Sequence, residues 1–184
     1  KAEKFGIIID KKDTRVKELV RRTKELEQMG YSFEEGEASF ELLMRRTLGQ
    51  YKRFFTLEGF RVIDEKRGHD DRVLVEATVK LNIDGEIFHT AAEGNGPVCA
   101  LDNALRRALE GLYPEIKTIV LKDYKVRVMA SEKGTDSKVR VLIESTDGKN
   151  TWGTVGVSTN LIEASWNALV DSIEYKLLKS STLS

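Results

Sequence analysis

Residues 93–104 read EGNGPVCALDNA, the end of a strand, a glycine-rich turn and the opening of a helix. Gly94 and Gly96 permit backbone angles or close approaches that a Cβ forbids. Pro97 suits the first helical position, where its missing N–H would be unpaired anyway and its φ is already helical. The first N–H groups of such a helix have no intrahelical acceptor, and the helix dipole favours negative charge beside them. The turn is therefore a receptor for a carboxylate or phosphate, or else a plain strand-to-helix connection without a ligand.

The turn occurs twice. Adding 64 to each residue number carries Thr90 to Thr154, Ala100 to Ala164 and Asn103-Ala104-Leu105 to Asn167-Ala168-Leu169. Upstream, Phe60 lands on Tyr124, Val62 on Val126, Val75 on Val139 and Phe88 on Trp152. Gly96 falls on Asn160, and both are favoured N-caps. Glu163, three residues after Asn160, completes a pattern like a capping box. One constant offset through strands, turn and helix defines two copies of one unit, about 58–113 and 122–178.

Alternation of apolar and polar residues predicts strands at about 58–66, 72–83 and 86–93, and again at about 121–131, 137–146 and 150–157. In the second of these Val73, Val75, Ala77, Val79 and Leu81 share one face. Asp84-Gly85 and Asp147-Gly148 supply the hairpin turns. A helix from Pro97 to about Leu112 buries Val98, Leu101, Leu105, Leu109 and Leu112, and Tyr113-Pro114 ends it. Its counterpart starts near Asn160 and buries Ile162, Trp166, Leu169, Ile173 and Leu177. The class is α+β: two tandem βββα units, whose bare faces would cover each other about a pseudo-two-fold axis.

Residues 1–50 read as a helical linker subdomain and 51–184 as the domain holding both units. After a short extended Ile7-Ile8-Ile9, Asp13 or Thr14 caps a helix with Val16, Leu19, Val20, Leu26 and Met29 near one face, closed by Gly30. Ser32 and Glu35 can form a capping box for a second helix anchored by Phe40, Leu42 and Leu43. Such a hairpin has too little apolar surface to stand alone, so it needs a partner in this chain, another domain or another subunit.

Thirty basic and thirty acidic residues cancel, so no global field draws the chain to nucleic acid or an anionic membrane. Few aromatics at strand centres argue further against an RNA-binding sheet. No apolar run reaches membrane-spanning length. The single Cys99 excludes an internal disulfide framework, fits a reducing compartment and reads as a small packed residue. His69, in a charged turn, and His89, on a strand, belong to no metal-spaced cluster, and no nucleophile elbow or P-loop is present. The chain starts at Lys1 without methionine and is expected to be part of something longer.

What remains is a binding module with two helix-start turns. Backbone N–H groups there could hold a carboxylate, and Glu93, Asp102 or Asp123 an ammonium. Val98, Leu121, Tyr124, Leu161 and Ile162 could line a side-chain pocket, which together describes an amino-acid site. Ordinary core is the other reading of each apolar residue.

With EGNGPVCALDNAL and VGVSTNLIEASWNAL in these places, the chain resembles the C-terminal allosteric and dimerisation domain of the α-isopropylmalate synthase family. GYSFEEGEASFELLMRR (30–46), FFTLEGFRV (54–62) and the opening KAEKFGIIIDKKDTRVKEL are similar to the citramalate synthase branch. The resemblance implies a cytoplasmic acyltransferase that condenses acetyl-CoA with pyruvate for isoleucine biosynthesis. Its divalent metal and acetyl-CoA would sit in a catalytic barrel outside this chain, leaving this part non-catalytic and without a cofactor. This part would bind isoleucine for feedback inhibition and form a homodimer. The effector residues so implied are Asn95, Gly96, Pro97 and Asp102, with Tyr124, Ser158, Thr159, Asn160 and Leu161. A leucine-sensing domain and a ligand-free dimerisation domain are the alternatives.

Overall fold

The alternating stretch Val73–Ile83 becomes the centre of a three-stranded antiparallel sheet, as its pattern requires. The computed structural model describes residues 5–7, 13–68, 72–129 and 137–181. Ile8-Ile9 and the His69 turn therefore lie outside the described residues. The elements run α1 (Thr14–Met29), α2 (Glu37–Thr47), β1 (Thr56–Lys66), β2 (Val73–Ile83), β3 (Glu86–Gly94), α3 (Pro97–Leu109), β4 (Val120–Met129), β5 (Lys138–Thr146), β6 (Thr151–Ser158) and α4 (Leu161–Ser181). Strand orders are β1-β2-β3 and β4-β5-β6, so the class is α+β with two βββα copies. The chain divides into two compact units, Arg53–Thr118 and a second made of Lys1–Lys52 with Ile119–Ser184.

The 64-residue offset holds in the hydrogen-bond ladders. Val75 pairs with Gly94 and Val139 with Ser158; Thr56 pairs with Asn82 and Val120 with Thr146. A bulge interrupts β1 between Leu57 and Gly59, and another interrupts β4 between Leu121 and Asp123. Each helix is clamped to its own sheet by the same threonine. Thr90 Oγ1 donates to the Ala104 carbonyl at 2.7 Å, and Thr154 Oγ1 to that of Ala168 at 2.8 Å.

The hairpins differ. Asp84 and Gly85 both take positive φ (50° and 91°), as a type I′ turn demands. In the second copy only Gly148 does (84°), and the central pair is Gly148-Lys149, one residue beyond the expected Asp147-Gly148. Asp147 instead braces the turn, its Oδ1 accepting from the Lys149 and Asn150 N–H groups at 3.0 and 2.7 Å.

In the first unit α3 buries Leu101, Leu105 and Leu109 together with Ala100, Ala104 and Ala108. Leu112, expected in that stripe, is exposed. The helix stops at Leu109, whose carbonyl accepts from both Leu112 and Tyr113 N–H groups and turns the chain away. Val73 at the start of β2 is likewise exposed, while Val75, Ala77, Val79 and Leu81 are buried beneath the helix.

The linker hairpin has its partner within the chain. α1 is capped as expected, with Asp13 accepting from Arg15 N–H at 2.9 Å and Gly30 closing it at φ 112°. Only Leu19 on α1 is buried; Val20 and Met29 are about half exposed, because the helix meets α2 along a narrow line. α2 starts at Glu37 with Gly36 as N-cap, not at Ser32. Phe33 is buried against Leu142, Val155 and Val157, and that anchor draws residues 32–36 into a turn closed by Gly36 N–H to the Ser32 carbonyl at 2.9 Å. Tyr31 and Phe40 pack around the same cluster. Ser39 Oγ accepts from Val155 N–H at 3.0 Å on the free edge of β6. Gly153 lets the Glu35 carbonyl lie where a Cβ would otherwise sit. The sheet β4-β5-β6 is thus covered on one face by α4 and on the other by the linker.

Candidate helix-start sites

The nine residues expected to bind an effector fall into two groups, one in each compact unit. In the first group, Gly94 ends β3 against the opening turn of α3, so close that a Cβ would overlap the Ala100 backbone. Here glycine is required. Gly96, the N-cap, has an extended backbone (φ −176°) that any residue adopts, with open space where its Cβ would be. No side chain caps this helix, and Pro97 occupies its first turn as expected. The N-terminus of α3 therefore keeps its capacity to receive an anion. Asn103 Nδ2 donates to the Glu93 carbonyl at 2.9 Å and fastens the strand end to the helix.

Asn95 and Gly94 border an open groove of about 1010 Å³ whose rim carries Glu65, Arg67, Arg72 and Glu93. Ile63, Val73 and Leu74 line the same groove, so it offers charged and aliphatic surface together. Cys99, expected to be packed, is exposed beside this groove, and Asn103 approaches its Sγ at 3.8 Å.

Asp102 points inward from the second turn. Its Oδ2 accepts from Arg106 Nε at 2.8 Å, while Oδ1 is buried and accepts no hydrogen bond. Burial pushes its carboxyl above the usual range, against the pull of Arg106. A carboxylate oxygen left without a donor in the interior is costly, and an ammonium or a water would relieve it.

The second group is organised differently. Asn160 Oδ1 accepts from Ile162 and Glu163 N–H groups at 2.8 and 3.1 Å, occupying donors that the α3 turn leaves to others. The box is half of the expected one. Glu163 takes the Ser158 hydroxyl, and Ser158 Oγ accepts from Asn160 N–H at 3.0 Å. Thr159 and Leu161 are exposed on this turn. Tyr124 reaches it from β4, its hydroxyl 2.8 Å from Ser165 Oγ, which in turn donates to the Leu161 carbonyl at 2.8 Å. Tyr124, Ser165 and Leu161 thus form one contact chain. Ser165 was not among the expected residues; its place one turn after Leu161, on the same face of α4, was the available signal.

Asp123 is half-buried and held by Lys125 at 2.7 Å, which keeps its carboxyl below the usual range and engages it locally. His89 is exposed on β3 opposite Lys80. Among the described residues, no group of three or more His, Cys, Asp or Glu side chains is placed to hold a metal ion, and no helix is long and apolar enough to cross a membrane.

Comparison with known proteins gives this geometry a context. Residues 35–177 match the family described as LeuA allosteric (dimerisation) domain. The chain is similar to (R)-citramalate synthase of Geobacter sulfurreducens, 57% identical over 183 residues, covering 100% of this chain and 35% of that protein. (R)-Citramalate synthase of Aquifex aeolicus is 55% identical over 97% of the chain, which spans 34% of it. 2-Isopropylmalate synthase of the same organism is 30% identical over 70% of the chain and 24% of its own length. The chain thus spans about a third of the length of the citramalate synthases it matches.

Proposed function

Since this chain belongs to the LeuA allosteric (dimerisation) domain family, we propose that it is the feedback sensor of a cytoplasmic (R)-citramalate synthase, binding isoleucine as part of a homodimer. The observation that carries this reading is the similarity to (R)-citramalate synthases along nearly the whole chain, through both helix-start turns. On this reading the condensation of acetyl-CoA with pyruvate, and the divalent metal it uses, belong to a catalytic barrel beyond this chain.

The two turns differ in what each offers an amino acid. The uncapped start of α3 at Asn95-Gly96-Pro97 suits a carboxylate, and the donorless Oδ1 of Asp102 suits an ammonium. The turn at Ser158, Thr159, Asn160 and Leu161 satisfies its own N–H groups, and what it presents is shape and, through Leu161 and Tyr124, apolar surface. Feedback then follows from linkage: isoleucine inhibits by as much as it binds one arrangement of the protein better than another.

Calorimetric titration with isoleucine, leucine and valine, alongside the mass in solution, tests this. Selective isoleucine binding by a dimer is the expected result. Preference for leucine would place the chain with the 2-isopropylmalate synthases, since one methylene shifts selectivity by only about 1–3 kcal/mol. A folded dimer that binds none would leave a purely structural dimerisation domain.

A further inference from the structure

Helix α4 is engaged at both ends. Its first two turns carry the Asn160 cap and the Tyr124–Ser165 contact, and its middle and last turns hold the linker. There Arg46 of α2 donates through Nη2 to Asp171 Oδ1 at 2.9 Å and also to Glu174. Nearby the signs reverse. Glu41, wholly buried on α2, accepts from Arg45 Nε at 2.8 Å and from Lys179 Nζ at 2.7 Å. One triad has two carboxylates and one cation, the other one carboxylate and two cations, so their charges are opposite and cancel between them.

Parting α2 from α4 would strand Glu174 and break the ammonium contact to Glu41, whose side chains are 4% and 0% exposed. An apolar contact can slide, whereas two crossed ionic triads fix both the rotation and the register of one helix on the other. α4 is one helix of 21 residues, about 30 Å long, so its two ends shift together.

We propose that these two triads are the coupling device through which the state of α4's first turn reaches the linker helices. The proposal rests on reading the chain as an amino-acid sensor. Arg46 and Glu41 act as positioning residues: neither touches the effector turn, and each holds α2 to the helix that begins there. Coupling needs an element that both sites bias, and the proposal assigns that role to the α2–α4 pair.

The test uses the full-length enzyme with Arg46→Lys, which keeps the charge but loses the guanidinium fork, and separately with Lys179→Gln. Lys179 is 39% exposed and Arg45 still pairs with Glu41, so this second variant folds even if the first does not. The expected result is isoleucine binding within about threefold of wild type by calorimetry, an unchanged rate without effector, and loss of most of the inhibition seen at saturating isoleucine. Unchanged inhibition in a folded variant would overturn the proposal. So would binding and inhibition weakening by the same factor. A wild-type enzyme that binds no isoleucine would overturn the sensor reading, and this proposal with it.

Discussion

The two βββα copies share ladders, bulges and helix clamps, yet their outer sheet faces have opposite characters. In the second copy Leu142, Val155 and Val157 lie under the linker aromatics. Sixty-four residues earlier the same positions hold Thr78, Ala91 and Glu93, with Ala91 and Glu93 exposed. At the strand edge the contrast repeats: Gly153 receives the Glu35 carbonyl, while His89 stands exposed in its place. The free edge of β3 has the Ala91 carbonyl taken by Arg107 at 2.6 Å. The lesson is that the inner face defines the fold and the outer face defines the use. One copy is a platform for the linker, and the other leaves its outer face exposed, with Ile63, Leu74 and Ile87 standing among its polar residues.

The largest effect expected from breaking this contrast is at Leu142. Leu142→Ala should lower the unfolding free energy by about 2–5 kcal/mol through a cavity beneath Phe33, whereas Thr78→Ala should change it by less than about 0.5 kcal/mol. Urea denaturation of both variants checks this, and equal losses would mean that the two outer faces are equivalent after all.

A smaller difference separates the helix starts. Asn160→Ala should cost about 1 kcal/mol by removing the acceptor for two N–H groups. Gly96→Asn should add a few tenths of a kcal/mol, because its extended backbone and open surroundings accept the side chain. If the free α3 N–H groups receive the effector carboxylate, that same change weakens isoleucine binding, which calorimetry would read directly.

The smallest effect concerns the hairpins and depends on pH. Lys176 Nζ, 2.7 Å from Asp147 Oδ2, together with the turn N–H groups, holds the Asp147 carboxyl well below its ordinary value. A lowered folded-state pKa adds stability above the ordinary aspartate value, lost as the pH falls through the folded one. Asp147→Asn should therefore cost less than about 1 kcal/mol at pH 7, and its deficit should shrink as the pH is lowered toward 3. In the first hairpin the brace is a neutral amide, with Asn82 Oδ1 accepting from Gly85 N–H at 2.9 Å.

Much of this was legible because it is local. The caps at Asp13, Gly30, Pro97 and Asn160 each depend on residues within a few positions, and the repeat itself needs only a constant offset. The start of α2 was not legible, because burial of Phe33 beneath a sheet more than a hundred residues away overrides the Ser32 signal. Nor was the choice of partner for the linker. Leu142, Val155 and Val157 read as strand residues whichever face is covered, and only the packing shows which aromatics cover them. At the candidate site, the turns were visible, but the inward direction of Asp102 and the bridging by Ser165 depend on side-chain geometry.

The bulge between Leu57 and Gly59 returns between Leu121 and Asp123. A bulge bends its strand and re-aims the side chains beside it, and Glu58 and Lys122, the residues at its centre, have opposite charges. The kink is therefore a property of the backbone plan and not of either side chain. Two halves whose exteriors differ so widely still bend their first strand at the same register.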